Sequence, residues 1–307
     1  MKKNGTKQEM NLVKLIEDFH DEDSCREYLE GLRWPDGITC PRCGSATISK
    51  IRKRGQFDCD SCRFQFSVTS GTIFHDTHLP LWKWFLATYM MIEAKKGISA
   101  NQMKRSLKVA YRTAWYLCHR IRKAMTENIS HSLSGIVEVD ETWVGGKKVH
   151  VGHGYKGNKT IVVGAVERNG KARLQVIKHA DKKTLHGFIH ANTTPGTEAI
   201  YTDEWPAYHG IADQDTRHET VNHSAEEWVN GDIHTNTVEN VWSLLKRSIV
   251  GSYHKVSTKH LDAYLDELEW RFNNRNNPYL FRDTLLKLIK SENLSYHELT
   301  ETKSHAL

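Results

Sequence analysis

No stretch of this 307-residue chain is apolar for long enough to cross a bilayer. The most apolar run, Leu79 to Ala94, is interrupted by Lys83 and falls short of the ~20 residues a spanning helix needs. The first residues are rich in Lys and Asn and contain no apolar core of the kind a secretory leader carries, which predicts a cytoplasmic, nucleoid-associated protein with no membrane partner. Internal repeats and low-complexity tracts are missing as well. A disordered composition is excluded, because 38% of the residues are hydrophobic and 9% aromatic, enough to build cores for two or three domains.

Acidic residues are scarce in one region. Between positions 41 and 125 there are 16 Lys and Arg against Asp58, Asp60, Asp76 and Glu93 alone. The whole chain carries only +6, so both flanks together are acidic. A basic block set between acidic ones suggests a segment that binds a polyanion, although a solvated basic surface would look similar.

Cysteines are few and patterned. Cys25 and Cys118 stand alone, whereas Cys40, Cys43, Cys59 and Cys62 form two Cys-x2-Cys pairs fifteen residues apart. In a reducing compartment this spacing favours a metal over disulfides. Zn2+ takes four thiolates in a tetrahedron, and each "CPRCG"- or "CDSC"-type knuckle supplies two on one tight turn. The intervening "SATISKIRKRGQFDC" alternates and turns at Arg54-Gly55, so the knuckles clasp the base of a hairpin: a zinc ribbon. Four thiolates leave no position for water, which makes the zinc structural. Arg52, Lys53 and Arg54 on the hairpin are candidates for phosphate contacts.

The remaining pattern divides the chain into a helical lead-in over 1–35, the ribbon over 36–70, a helical region over 71–130, an α/β region over 131–290 and a polar, frayed tail over 291–307. In the helical region, Ser99 opens a short capped helix and "YRTAWYLCHRIRKAM" follows with Tyr111, Ala114, Trp115, Cys118 and Ile121 on one stripe. Arg112, His119, Arg120, Arg122 and Lys123 fall largely off it. This resembles a helix-turn-helix, with Arg112 and Arg120 as DNA contacts, though any helical hairpin fits the pattern. From Gly135 the texture turns to strands: "VEVDETW", a hairpin turning at Asn169-Gly170, and "AIYTDEW", with a helix capped by Asp181 between the last two.

Asp140 lies mid-strand among β-branched residues and Asp203 at the end of another apolar run, on two of these strands, where an acid without a partner is costly to bury. Glu141 and Glu204 beside them turn to the opposite face. Thirty-five residues separate Asp203 from Glu239, in "HTNTVENVWSLLKR". Asn236 and Glu239 have capping-box spacing, so a structural role competes here; Glu239, Trp242 and Lys246 also share one helix face. Two strand carboxylates and one helix carboxylate can hold a pair of Mg2+ or Mn2+ ions for phosphoryl displacement.

The stretches "CPRCG…CDSCRFQFSVTSGTIFHDTHLPLWKWF", "VEVDETWVGGK", "YTDEW", "HTNTVENVWSLLKR" and "LEWRFNNR" together resemble insertion-sequence transposases of the ISXO-like group, which join an N-terminal zinc ribbon to a DDE-type RNase H-like domain. The resemblance runs from about residue 20 to about residue 290. It implies an α/β fold with an RNase H-like mixed sheet flanked by helices, preceded by the ribbon and a small helical domain. It implies that Asp140, Asp203 and Glu239 are the catalytic metal ligands, with Asn236 or Asn240 as alternatives for the third, and that Lys246 is the associated basic residue. It implies metal-dependent cleavage at element ends, strand transfer of the 3′-hydroxyl into target DNA, and a homo-oligomer on DNA. The competing expectation is a catalytically inactive, domesticated zinc-ribbon DNA-binding regulator. Lys147, Lys148, Lys156 and Lys159, in the loop after Asp140, are further candidates for DNA contact.

Overall fold

The structure is a computed structural model that describes residues 10–51, 54–127, 132–145, 159–221 and 231–301. It divides into two compact units: one runs to Met125 and resumes at Asn276, and the other is Thr126–Arg275. The first boundary falls near the expected 130. The second does not fall at 290, because helix α9 (Leu280–Lys290) belongs with the first unit. There Phe281 meets Phe85 and Phe19 with ring centroids 5.9 and 6.1 Å apart, an aromatic cluster that the polar letters around it conceal. The expected frayed tail also contains a short helix, α10 (Tyr296–Thr300), capped by Ser295 and holding Leu299 buried.

In the first unit, α1 (Leu12–Asp18) and α2 (Glu22–Arg33) precede the ribbon. Strands β1 (Ile48–Ile51), β2 (Gln56–Cys59) and β3 (Gln65–Phe66) form an antiparallel sheet in the order β1-β2-β3. Gly55 turns the first hairpin at φ 58°, as the Arg54-Gly55 reading requires. Phe57 and Phe66 fill its small core, with Trp34 edge-on to both. Helix α3 (Leu81–Glu93) follows, then α4 (Ala100–Leu107), whose N-cap Ser99 accepts from the Gln102 N–H at 3.1 Å. A left-handed Lys108 closes α4, and α5 (Tyr111–Met125) begins three residues later.

Helix α5 departs from the two-faced reading. Most of its second half is buried, His119, Arg120 and Arg122 included, with Lys123 exposed, while Tyr111 on the expected apolar stripe is 48% exposed. The reason is that α5 packs against α3, α4 and α9 together. A helix with three neighbours keeps only a narrow solvent face over that stretch, at Lys123, and the arginines contribute their aliphatic stems to the packing.

The second unit holds β4 (Ile136–Val144), β5 (Thr160–Glu167), β6 (Ala172–Ile177), α6 (Lys182–Asn192), β7 (Ala199–Asp203), β8 (Arg217–Val221), α7 (Asn236–Ser248) and α8 (Leu261–Asn273). The five strands run in the order β6-β5-β4-β7-β8. The β4–β5 and β5–β6 pairs are antiparallel, and β4–β7 and β7–β8 are parallel. A three-strand meander extended by two parallel strands from its first member is the RNase H-like arrangement. Helix α6 covers one face, where Val137, Val139 and Ile200 meet Leu185, Phe188 and Ile189. Helices α7 and α8 cover the other, where Val162 and Val166 meet Val241, Trp242, Leu245 and Leu265. Both faces of the central part of the sheet are therefore largely covered, and a carboxylate buried there must find a partner or a ligand. No helix among the described residues is long and apolar enough to cross a membrane.

Candidate active site

Strand β4 occupies the middle of the sheet, and alternation sends its acids to opposite faces. Glu138 and Asp140 face α7; Glu141 faces α6 and is 7% exposed, with the Tyr208 hydroxyl donating to its Oε2 at 2.6 Å. The expected separation of Asp140 from Glu141 therefore holds. On the neighbouring strand, Tyr201 pairs with Glu138 in parallel register, so Asp203, two residues on, reaches the level of Asp140 on the same face. Asp203 ends β7, and its Oδ1 accepts from the Trp205 N–H at 3.0 Å, turning the chain away from the sheet.

The third acid comes from α7. Asp140, Glu239, Trp242 and Lys246 all line one cleft of about 400 Å3, with Glu141, Thr142, Ser243 and Arg247 completing its wall. The shared helix face of Glu239, Trp242 and Lys246 is thus the one turned to β4. The Trp242 indole N–H donates to Asp140 Oδ2 at 2.9 Å, and the Thr235 hydroxyl donates to Glu239 Oε1 at 2.9 Å. Asp203 does not line this cleft but acts on Asp140 through its charge. Burial first, then the charges of Glu141 and Asp203, push the Asp140 carboxyl up to about 7. Glu141 is raised as well, chiefly by burial. Like charges gathered in a poorly solvated place favour a bound cation, and an all-oxygen donor set suits a hard one. Asp140, Asp203 and Glu239 nevertheless do not meet within 4.8 Å of one another; among the described residues that closeness is reached only by the cysteines.

The capping box that the spacing of Asn236 and Glu239 suggests for α7 is not what the structure contains. Thr235 is the N-cap residue, yet no side chain of the helix caps it. The cap is Glu138, wholly buried, which accepts from the Thr237 and Val238 N–H groups at 2.7 and 3.2 Å and from the Thr237 hydroxyl at 2.9 Å. Arg168 Nε donates to the same carboxylate at 2.9 Å, and His234 Nδ1 lies 3.2 Å from it. A residue 99 positions upstream therefore satisfies the orphan donors of the helix and matches its positive end. Sequence reading missed this because a cap is sought within a few residues of the helix start. The signal available was a second acid, two residues before Asp140, on the same strand face.

The four cysteines do converge, with all donor atoms within 4.8 Å. Cys40 and Cys62 sulfurs lie 3.7 Å apart and Cys43 and Cys59 sulfurs 3.5 Å apart. A tetrahedron with Zn–S bonds of about 2.3 Å has edges near 3.8 Å, so the cage has zinc dimensions. Of the residues expected to touch DNA, Arg52, Lys53, Lys147, Lys148 and Lys156 lie outside the described residues, while Arg54, Lys159 and Lys246 are exposed. Arg112 is exposed and stacks 4.0 Å over the Tyr296 ring. Arg120 is a correction: it is 3% exposed, with its Nη2 donating to the His75 and Asn293 side of the fold, and does not lie on a surface that a duplex backbone reaches.

Family comparison agrees with this architecture. Residues 132–273 match the ISXO2-like transposase domain, and residues 20–65 match the transposase zinc-ribbon domain of the same group; the two together span more than half of the chain. The chain belongs to the ISXO2-like insertion-sequence transposases. It is 28% identical over 275 residues to a protein of transposable element ISH50 from Halobacterium salinarum, covering 83% of this chain and 92% of that protein. It is 29% identical over 99 residues to a transposase-like protein from Haemophilus influenzae, covering 32% of this chain and 78% of that one. Among solved structures, the Mos1 strand transfer complex aligns with 67% of this chain and 75% of its own at 13% identity and a TM-score of 0.28. A simian T-cell lymphotropic virus intasome aligns with 66% and 72% at 16% identity and 0.25. The fold assignment for this transposase rests on its strand order and not on those scores.

Proposed function

We propose that this transposase is a DDE-type polynucleotidyl transferase whose metal ligands are Asp140, Asp203 and Glu239. It hydrolyses a phosphodiester at each element end, and the freed 3′-hydroxyl then attacks a phosphodiester of target DNA. Both steps are the same displacement at phosphorus with a different nucleophile, so one site serves both. The observation that carries this reading is the placement of Asp140: it stands level with Asp203 across the parallel β4–β7 pair, and it shares a cleft with Glu239 and Lys246. Two Mg2+ or Mn2+ ions held there would activate the attacking oxygen and stabilise the leaving one.

The protein's own part is orientation. Trp242 holds one oxygen of Asp140, Thr235 one oxygen of Glu239, and the Trp205 N–H one oxygen of Asp203. These bonds keep the acids in fixed rotamers with their remaining coordination directed by the backbone frame. The Lys246 ammonium, exposed at the cleft wall, binds a phosphate oxygen of the strand being cut. Arg54 and the other basic residues of the ribbon add sequence-independent phosphate contacts. Joining two ends requires at least two copies of the chain on DNA.

The separation of the three acids beyond 4.8 Å supports a second reading, a DNA-binding descendant without catalysis. Mg2+-dependent nicking of element-end DNA divides the two. The active enzyme nicks and then joins; Asp203→Asn binds the same DNA but does neither. Equal cleavage by a folded Asp203→Asn protein would overturn the ligand assignment.

A further inference from the structure

Helices α7 and α8 are joined by a strap, residues 249–260, that starts where the wall of the acidic cleft ends. Ile249–Tyr253 form one π-helical turn continuous with α7, and Thr258–His260 form a short 3-10 turn that leads into α8. The strap is anchored at several points. Ile249 and Val256 pack, as Val144 does, against the core that α7 and α8 share with the sheet. The Tyr253 hydroxyl donates to Glu267 Oε1 at 2.9 Å, and its ring meets Tyr264 edge to face at 4.6 Å. Glu267 is wholly buried and paired with Arg271, so the acceptor that holds Tyr253 is itself fixed. The Thr160 hydroxyl, at the start of β5, lies 3.4 Å from the Thr258 hydroxyl.

What these anchors leave outside is positive. Lys246 and Arg247 are exposed in the cleft wall, Lys255 and Lys259 are exposed on the strap, and Lys159 is exposed beside Thr160. No Asp or Glu occurs between Glu239 and Asp262. Strand register gives the reach of this surface. Asp140 pairs with Gly164 across the β4–β5 ladder, and Val144 pairs with Thr160. At about 3.3 Å per residue, Thr160 and the strap residue tied to it stand about 13 Å along the sheet from Asp140. One strand of B-DNA carries a phosphate every 3.4 Å or so of axis, so a duplex running this way from the cleft meets the strap about four base pairs from the reacting phosphate.

The exposed donors are ammonium, guanidinium and hydroxyl groups, which hold phosphates and carry no sequence information directly. A surface of that kind suits a duplex whose sequence changes from one reaction to the next. An element end has a fixed sequence, whereas successive target sites differ. We propose that the strap between α7 and α8 is a docking surface for target DNA, with Lys255 and Lys259 gripping phosphates of the target duplex beside the point of attack. The proposal rests on the reading of this protein as an enzyme that cuts element ends and joins them to a target.

The test uses the full-length, zinc-loaded chain with Mg2+ and two separate assays. One measures cutting of element-end DNA with no target present; the other measures joining of a pre-cut end to plasmid DNA as plasmid concentration and salt are varied. The double variant Lys255→Gln/Lys259→Gln, whose melting curve is expected to match the native one because both side chains are exposed, should cut at the native rate and need more plasmid for half-maximal joining. The plot of log apparent plasmid affinity against log salt should become shallower by about 2, about one for each phosphate contact removed. Lys255→Arg/Lys259→Arg keeps the charges and is expected to join as the native protein does. Native joining and native salt slope in the Gln pair, or an Arg pair as defective as the Gln pair, overturns the proposal. Cutting that falls in parallel with joining would place the element end on the strap and overturn the target assignment. A native protein that neither cuts nor joins overturns the enzymatic reading instead.

Discussion

The indole N–H of Trp242 donates to Asp140 Oδ2 at 2.9 Å, and this bond spans the gap between helix α7 and the central strand. It is possible because position 164 on β5 is glycine: a Cβ there would stand 2.6 Å from the Trp242 ring. The ring occupies the space the missing side chain leaves. Trp242→Phe keeps the ring packed but deletes the donor. Since that bond lowers the Asp140 carboxyl's affinity for a proton, its loss raises it further. Cleavage is expected to fall about tenfold, the effect of roughly one hydrogen bond to a charged group, with the melting temperature nearly unchanged. Single-turnover cleavage and thermal melting together check this.

Gly164→Ala tests the same contact from the other side. The added methyl overlaps the indole, so α7 shifts or the ring leaves its rotamer. Overpacking of this kind is expected to cost about 1–3 kcal/mol in denaturant unfolding, with cleavage reduced more than it is by Trp242→Phe. Unchanged stability and cleavage would show that the ring is not seated against the strand.

Glu138→Ala is expected to be more damaging than substitution of an ordinary surface acid. It strips the N-terminal cap from α7 and leaves Arg168 without its carboxylate. Breaking a buried, hydrogen-bonded ion pair costs about 3–5 kcal/mol. Because the cap sets where Glu239 and Lys246 lie, cleavage should be lost even at temperatures where the variant stays folded. Denaturation curves and cleavage assays on the same preparation separate the two effects.

The Asp140 proton gives a pH signature. In the unfolded chain this carboxyl ionises near 3.8, whereas in the folded unit burial and the neighbouring acids hold the proton up to about 7. Between those values the folded state binds more protons than the unfolded one. Stability in cation-free buffer therefore declines as pH rises through this window and levels off above about 7. Asp140→Asn is expected to flatten the decline, and Mg2+ or Mn2+ to raise the melting temperature more at high pH than at low, because the ions compete with the proton. A slope identical in Asp140→Asn would place the titration elsewhere.

Removal of zinc should act locally. The ribbon core consists of little more than Phe57, Phe66 and the cysteines themselves, too small to persist without the metal. Limited proteolysis in chelator is expected to open residues 36–70 first, with cuts near β1 and β2. Resistance equal to that of the zinc-loaded chain would argue against a structural metal.

Local spacing was enough for several elements. The ribbon hairpin, the Ser99 and Asp181 caps, the turn at Asn169-Gly170 and the shared face of Glu239, Trp242 and Lys246 all depend on residues within a few positions of each other. The errors share the opposite property. Arg120 and Arg122 looked like a basic flank until three helices enclosed α5, and Phe281 looked like part of the α/β region until it joined Phe19 and Phe85. The α7 cap was sought next to the helix and came from β4.

The amino-acid sequence by itself determined which chemistry the chain possesses: four thiolates at knuckle spacing, an acid on each of two strands, and an acid and a base on one helix face. Those are matters of period and spacing, set by bond geometry within a turn or a strand. Only the tertiary structure decided that Trp242 holds Asp140 while Glu138 caps the helix, and that Arg120 is buried among helices. Those depend on register between strands and on how closely helices approach a sheet, quantities that no single stretch of chain contains.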